Sequence, residues 1–340
     1  MGSDVEVPAL EISIGPGIDG RVGHSDLEGA LKVVLARDGR PRLSGDLTSR
    51  RLDFKDLGAL FGATSANAPQ GAAVAVNPEP TAAARRLLPD VPLDVARVRG
   101  MDADVHYRAR SVNASPNLPL RAVDLGVKLD HGLLRLDPIA FDFPQGRLKG
   151  PARIDARTDA QTNSVDFTVS DIAVQQFTPK FQNAEPVEGR ISARLRATGG
   201  GHSVHEAAAS ANGRFALVMP GGTVRQSLAE LMGVDATKGL FMLLAKDPHQ
   251  TDVRCAVADF AVRDGVMTAQ RIVFDTGVVV VDGSGRVDLN DESLKLVFKG
   301  KAKKFRLVRL NAPIVIGGHL TRPVFGVDPG PALPQGGAGA

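Results

Sequence analysis

Apolar and polar side chains alternate along most of this chain, and that alternation restricts its fold more than any other feature. Between residues 123 and 130, Val, Leu, Val and Leu take turns with Asp, Gly, Lys and Asp. Similar rows occupy residues 104–110, 190–197 and 294–299. Because successive side chains of a strand point to opposite faces, the pattern predicts antiparallel strands with one apolar and one polar face. The chain is therefore predicted to be mainly β.

Short turn signals divide these rows. Tight hairpins are predicted at four dipeptides, Asp38-Gly39, His131-Gly132, Asp264-Gly265 and Asp282-Gly283, because such pairs tolerate positive φ angles. Helical spacing is rare by comparison. It predicts only short helices, at residues 54–62, 81–88, 224–233 and 237–246.

An internal repeat indicates how the strands are organised. Residues 132–155 align with residues 265–288 without a gap, and Phe141 falls on Phe274. The other identical pairs are Gly132/Gly265, Ile139/Ile272, Asp142/Asp275, Gly150/Gly283, Arg153/Arg286 and Asp155/Asp288. Each copy is predicted to be a β-meander, with Phe141 and Phe274 at equivalent places on one apolar face. Repeated meanders predict an elongated, strongly curved antiparallel sheet, an open groove or half-barrel, with a few short helices.

The same pattern divides the chain into four segments. Residues 1–24 form an N-terminal segment with one strand, and residues 25–155 a first β-groove portion with short helices. Residues 156–328 form a second β portion. Residues 329–340 are a Pro, Gly and Ala tail that we expect to be disordered.

Composition excludes several classes of function. The chain has no Trp, one Tyr and a net charge of only +3, which argues against base stacking and nucleic acid binding. Its single cysteine, Cys255, excludes an intramolecular disulfide and a cysteine-rich metal site. No run of 18 apolar residues predicts a membrane span.

No motif in the sequence predicts catalysis, a cofactor or a metal. Residues 15–20 match the glycine pattern of dinucleotide-binding loops, but no helix is predicted to follow them. His202 and His205 stand three residues apart without further ligands nearby, and a solvated loop is the simpler interpretation. We therefore expect a protein that is not an enzyme.

The apolar rows themselves are the strongest candidate for a functional surface. An apolar sheet face must pack on a second sheet, close into a barrel or meet something hydrophobic, and the sequence leaves both a β-sandwich core and an acyl-chain groove open. The candidate lining residues are Phe141, Phe260, Val262, Ile272, Phe274, Val278, Val280, Val287, Leu289, Leu294 and Leu296.

A basic cluster lies close to the last of these rows. Its members are Lys299, Lys301, Lys303, Lys304, Arg306 and Arg309. Lysines that block strand pairing at a sheet edge are one interpretation of this cluster. Contact with anionic lipid headgroups is another, in which Lys299, Lys301, Lys303, Lys304 and Arg306 are the candidate residues.

Several motifs occur in an order that resembles the C-terminal region of the AsmA-like family. They are Phe260-x4-Gly265, Phe274-Asp275-Thr276, Val281-x-Gly283-x-Gly285-x-Val287-Asp288-Leu289 and the run from Ala312 to Pro323. Upstream, Arg42-Leu43-Ser44-Gly45 and Gly199-x2-His202-Ser203-x-His205 are similar to earlier family segments. The resemblance covers most of residues 25–328 and is strongest after about residue 210.

This resemblance implies a function in the envelope of Gram-negative bacteria. It implies a periplasmic protein, anchored in the inner membrane by an N-terminal helix, that resembles bridge-like lipid transfer proteins with a hydrophobic β-groove and no catalytic residues. Because the anchor is missing from the sequence, we expect a soluble C-terminal portion. The expected function is to hold phospholipid acyl chains and support outer-membrane lipid homeostasis. The expected partners are phospholipids, membrane surfaces or envelope proteins. The alternative is a structural or assembly factor for outer-membrane proteins with a closed β-sandwich core.

Overall fold

A computed structural model gives the arrangement of most of the chain. It describes residues 4–13, 25–35, 39–53, 87–88, 90, 94–113, 119–177, 187–225, 249–303 and 313–327. The strands are β1 (Asp4–Ser13), β2 (Asp26–Leu35), β3 (Pro41–Ser49), β4 (Leu52–Asp53), β5 (Asp102–Ala109), β6 (Val112–Asn113), β7 (Ala122–Asp130), β8 (Leu133–Asp142), β9 (Arg147–Asp155), β10 (Thr162–Ala173), β11 (Val187–Gly200), β12 (Asn212–Met219), β13 (Gly222–Arg225), β14 (Gln250–Arg263), β15 (Val266–Thr276), β16 (Val279–Asp288), β17 (Ser293–Ala302), β18 (Ile314–His319) and β19 (Arg322–Val327).

Seventeen of these strands form one curved sheet, which confirms the predicted fold class. Neighbours in the sheet are almost always neighbours in the sequence, and every pairing is antiparallel except that of β3 with β5. Strands β12 and β13 share one position, since both pair with β11 on one side and β14 on the other. Strand β9 pairs with β10, so the sheet is continuous across residue 155. A parallel pair of β4 and β6 forms a separate small sheet.

The repeat is structural, and its two copies match in register. Phe141 lies opposite Val123 and Leu148, and Phe274 lies opposite the equivalent residues Ala256 and Val281. The turns that open the two copies also match. His131 and Gly132 have φ angles of 48° and 81°, and Asp264 and Gly265 have 46° and 75°. Both copies are therefore meanders with the same hairpin geometry, as predicted.

One predicted hairpin is wrong. Asp282 and Gly283 lie inside β16, where they pair with Lys299 and Phe298 of β17. Gly283 provides space rather than a turn, because a Cβ there would come within 2.8 Å of the Ile272 side chain and 2.9 Å of the Phe298 ring. The glycine is therefore required by packing across the sheet.

The helices differ from those predicted. The described helices are α1 (Val95–Gly100), α2 (Val204–Ala209) and a 3₁₀ turn at Val174–Gln176, all in stretches without strong helical spacing. Val224 and Arg225, predicted to begin a helix, belong to β13. The predicted helices at 54–62 and 237–246 lie outside the described residues, as do most of 81–88 and the remainder of 224–233. None of the described helices is long and apolar enough to cross a membrane.

Buried side chains gather at the two ends of the strands. At the end that carries the β15–β16 turn, Met219, Val224, Val253, Val279 and Val281 form one cluster. A second cluster at this end contains Leu52, Ala109, Val112, Leu120 and Val123. At the opposite end, α1 places Val98 against Leu129 and Ala156. The ends of the strands are packed, and the middle of the sheet presents its faces more openly.

Candidate functional site

The pairing register sorts the side chains onto two faces of the sheet. Residues directly opposite one another on paired strands share a face, so a row can be followed from strand to strand. One row contains only apolar residues and glycine from β2 to β17: Leu31, Gly45, Val105, Val127, Leu136, Ala152, Val165, Ala197, Gly213, Val262, Met267, Val287 and Leu294.

A second row is apolar in the same way. It runs from β5 to β18 through Ala109, Val123, Phe141, Leu148, Val169, Ala193, Leu217, Ala258, Ile272, Gly283, Phe298 and Ile314. The two rows lie on the same side of the sheet, which we call the apolar face. It extends across nearly the whole sheet without a charged side chain in either row.

The apolar face is only half-buried along most of its length. Val105, Val127, Leu136 and Leu217 are all intermediate in exposure, whereas Phe260 is 7% exposed. The rings of Phe215 and Phe260 lie side by side with centroids 6.3 Å apart. Monomeric soluble proteins rarely leave so long an apolar surface in contact with water, so this face is the candidate functional site.

The opposite face, which we call the charged face, carries ion pairs between strands. Arg194 donates to both carboxylate oxygens of Asp166 at 2.8 and 2.7 Å, and the guanidinium of Arg214 binds Asp259 at 2.8 and 2.6 Å. These arginines hold the pKa values of Asp166 and Asp259 below the usual range. The charged face is therefore suited to water, and the apolar face to a hydrophobic ligand.

The structure brings most of the proposed lining residues onto the apolar face. The strand positions on that face are Phe141, Phe260, Val262, Ile272, Phe274, Val287, Leu294 and Leu296. Val278 lies in the β15–β16 turn and packs against the buried cluster there. Leu289 follows β16, and its N–H donates to the carbonyl of Gly265 at 3.0 Å.

The predicted place of Val280 is wrong. It lies opposite Asp275 on β15 and Lys301 on β17, which puts it on the charged face. The error is one of parity: Val280 and Val287 are an odd number of residues apart in one strand, so they cannot share a face. Val279 and Val281 occupy the apolar face instead and are each 1% exposed.

The described lysines of the basic cluster lie on or beside the charged face. Lys299 and Lys301 are exposed residues of β17, and Lys301 contacts Asp282 at 3.4 Å. Lys303 forms an ion pair with Asp275. Lys304, Arg306 and Arg309 lie outside the described residues. Contact between this cluster and lipid headgroups stays a prediction.

Polar residues that could act as metal ligands lie beside or within α2 and around Asp102. His202 is exposed as predicted, but His205 belongs to α2 and is 6% exposed, so the predicted loop is wrong there. Asp102, Asp130 and His131 bring three potential ligand atoms together. The Asp102 carboxylate already faces Arg40 at 3.1 Å and Arg42 at 3.7 Å, an environment that disfavours a second cation.

Part of the apolar face was not predicted from the sequence. Phe215, Leu217 and Phe298 belong to it and were not proposed, although each stands in an alternating stretch. The local signal was present, but the register that joins these residues to Phe260 and Ile272 depends on pairings between distant strands. The alternation within β12 and β17 is the sequence signal that marks these three residues as apolar-face positions.

Comparisons with known proteins identify the family of this chain. The family model described as "AsmA family" matches residues 14–272, so the match begins far upstream of residue 210. The chain is 26% identical over 330 residues to "AsmA family protein YhjG" of Escherichia coli K12. That alignment covers 95% of this chain and 47% of the relative, so the chain spans about half of the relative's length. No solved structure matches significantly. Because the family model covers well over half of the sequence, the chain belongs to the AsmA family.

Proposed function

We propose that this protein is a non-enzymatic, periplasmic lipid-binding protein that holds phospholipid acyl chains along its apolar face. The observation that carries the proposal is the pair of uninterrupted apolar rows, half-exposed and shared by more than ten strands. A surface without polar anchors fits flexible hydrocarbon chains better than a polar metabolite, whose hydrogen-bonding groups would lose water without gaining partners.

Family membership supports the same proposal. The AsmA-like resemblance implies an envelope role, and a long sheet with one apolar side provides a path along which acyl chains are shielded from water. Transfer of phospholipids between membrane surfaces, in support of outer-membrane lipid homeostasis, is the activity that this geometry favours.

The alternative function, an assembly factor with a closed β-sandwich core, is less well supported. A sandwich requires a second sheet packed about 10 Å above the apolar face. Among the described residues, the second sheet consists only of the two-residue strands β4 and β6. An extended sheet that leaves its apolar side half-exposed is better suited to a ligand than to a filled core.

The basic cluster completes the proposal as a contact for anionic headgroups. Lys299, Lys301 and Lys303 belong to the last long strand of the sheet or follow it directly. If they meet a membrane, binding to phospholipid vesicles should increase with the anionic lipid fraction and weaken with salt, because exposed charges are screened. Vesicle binding that ignores both variables would contradict this role.

A matched pair of substitutions tests the acyl-chain site. Ile272→Asp places a carboxylate on the half-exposed apolar face, and Val280→Asp places one on the charged face opposite Lys301. We expect the purified native protein to carry phospholipid, measured by mass spectrometry after extraction. Ile272→Asp should lose most of that lipid while remaining folded, since its carboxylate can hydrate when lipid leaves. Val280→Asp should retain it.

The outcomes are distinguishable. Circular dichroism establishes that both variants are folded before their lipid content is compared. Equal lipid loss in both variants, or full occupancy in Ile272→Asp, would contradict the apolar face as the site. A native protein that is free of lipid and takes none from phospholipid vesicles would favour the assembly-factor alternative.

A further inference from the structure

The charged face contains one row of side chains that differs from its surroundings. From β7 to β12 it runs through Lys128, Arg135, Arg153, Ser164, Thr198 and Asn212, each directly opposite the next. We call these six residues the donor row. Every member offers an N–H or O–H group, and no carboxylate interrupts them. Elsewhere on this face, as at Arg194 and Asp166, basic side chains stand beside acidic ones.

Two adjoining cavities open over this row. One has a volume of about 560 Å³ and is lined by Arg135, Arg153, Ser164 and Thr198, among others. The second, of about 440 Å³, shares Arg153, Ser164 and Thr198 with the first and adds Ser210. Hydrogen-bond donors from β8 to β12 therefore converge on one open depression, which is large enough for a phosphate group.

The charges along the row are unevenly compensated. Lys128 lies 3.5 Å from Asp104, and Arg153 lies 3.2 Å from Asp155. Arg135 stands between these two cations and has no ion-pair partner among the described residues. Like charges at directly opposite positions of paired strands are destabilising. The fold thus keeps an unfavourable arrangement that an anion bound between Arg135 and Arg153 would relieve.

The carboxylates at the cavity do not remove this imbalance. Asp166 is bound by Arg194 and also by Arg196, at 3.1 Å. Asp137 lines the wall of the larger cavity without an ion-pair partner in the described part of the chain. Arg196 also lines this cavity, and because Arg194 and Arg196 share the single carboxylate of Asp166, one of their two positive charges is uncompensated.

We propose that the donor row binds a phosphoryl oxyanion. Arg135 and Arg153 would each present a planar fork of N–H donors to the phosphate oxygens, and Ser164 and Thr198 would donate from their hydroxyl groups. Guanidinium groups match phosphate geometry and form charge-assisted hydrogen bonds with it. The anion comes either from a soluble phosphate compound or from a phospholipid headgroup at a membrane surface. This site is on the opposite side of the sheet from the acyl-chain site and is independent of it.

Binding of inorganic phosphate to the full chain provides the first test. Phosphate should raise the melting temperature more than chloride at equal ionic strength, and titration calorimetry should give its affinity. Arg135→Gln combined with Arg153→Gln should lower that affinity roughly tenfold to a hundredfold, the loss expected for a hydrogen bond to a charged group. Arg286→Gln is the matched control, since Arg286 is exposed, faces Lys295 on the charged face and lies outside both cavities.

A second measurement guards against a variant that fails to fold. Without phosphate, Arg135→Gln alone should melt at a higher temperature than the native protein, because it removes repulsion from Lys128 and Arg153. A gain in stability together with a loss of phosphate binding is a result that simple unfolding cannot produce. Phosphate binding that survives the double substitution unchanged would overturn the proposal.

Vesicles identify the source of the anion. Sedimentation with phosphatidylglycerol vesicles, compared with neutral phosphatidylcholine vesicles, should show Arg135- and Arg153-dependent binding if the ligand is a headgroup. Binding of inorganic phosphate without such vesicle binding would assign a soluble phosphate compound instead. If the native protein binds neither, the donor row is not an anion site.

Discussion

At the scale of single residues, Asp102 is a nearly buried carboxylate that accepts hydrogen bonds from two distant parts of the chain. Its side chain is nearly buried at the start of β5, where it accepts a hydrogen bond from the backbone N–H of His131 at 3.0 Å. Arg40 donates to the same oxygen at 3.1 Å. The His131 N–H, followed by Arg40, holds the pKa of Asp102 below its usual range. One carboxylate thereby joins the β2–β3 connection, β5 and the β7–β8 turn.

Replacing Asp102 should reveal this stabilisation through pH. Because the pKa of Asp102 is lower in the folded protein than in the unfolded chain, where it is about 3.9, the ionised carboxylate stabilises the fold above that pH. This stabilisation is lost as the pH falls through the folded-state pKa. We expect Asp102→Asn to cost roughly 2 kcal/mol at pH 7, because Arg40 loses its buried partner. The variant should also lose less stability than the native protein between pH 5 and pH 2. Urea unfolding at several pH values measures both effects.

The control for this prediction is Asp104→Asn in the same strand. The Asp104 side chain is 67% exposed and contacts Lys128 at 3.5 Å, so its loss should change stability by less than about 0.5 kcal/mol. If the two variants show the same pH dependence, the carboxylate of Asp102 is not what couples folding to acid.

At the scale of elements, the turn between β16 and β17 fastens two distant parts of the chain. Glu292 is 3% exposed, and its carboxylate accepts hydrogen bonds from the N–H groups of Leu87 at 2.5 Å and Leu88 at 3.0 Å. Its backbone carbonyl accepts from the N–H of Leu320 in the β18–β19 turn at 2.8 Å. The side chain of Glu292 therefore holds a segment about 200 residues upstream. Its backbone carbonyl holds the turn of the last hairpin.

Glu292→Ala should release only the first of these two attachments. Hydrogen exchange at the amides of Leu87 and Leu88 should accelerate, because both lose their acceptor, while the amide of Leu320 stays protected. The unchanged backbone carbonyl makes Leu320 an internal control. Equal acceleration at all three amides would mean that the substitution disrupts the turn as a whole.

The elements that were predicted correctly are those determined by neighbouring residues in the sequence, and the errors occur where distant strands determine the structure. Alternation in residues 123–130 and the repeated His131-Gly132 and Asp264-Gly265 turns act within a few residues, and they were predicted correctly. The role of Gly283 depends on Ile272 and Phe298 in neighbouring strands, so its local sequence resembled a turn. The parallel pairing of β3 with β5 had no local signal at all.

At the scale of the whole molecule, the existence of an apolar face was predicted correctly, but only some of its residues were identified. Alternation identified Phe260, Ile272 and Leu294 as members of apolar rows, and the register places them on one face. Val280 was assigned to the wrong face because it lies an odd number of residues from Val287 in β16, and side chains alternate between the two faces along a strand. Of the strands before β14, only β8 contributed a proposed lining residue, Phe141, since joining the earlier rows to the last strands requires pairings that no single stretch of sequence records.

The matched registers of the two meanders have a consequence for size. Phe141 and Phe274 meet equivalent neighbours although their strands lie six positions apart in the sheet, so an added or removed block of six positions with the same strand lengths would leave every other row on its present face. Strands are about 4.8 Å apart, so a block of six positions contributes roughly 29 Å, and the sixteen positions of this sheet measure roughly 70 Å along the curve. The width of the sheet along its curve is therefore set by the number of its strands.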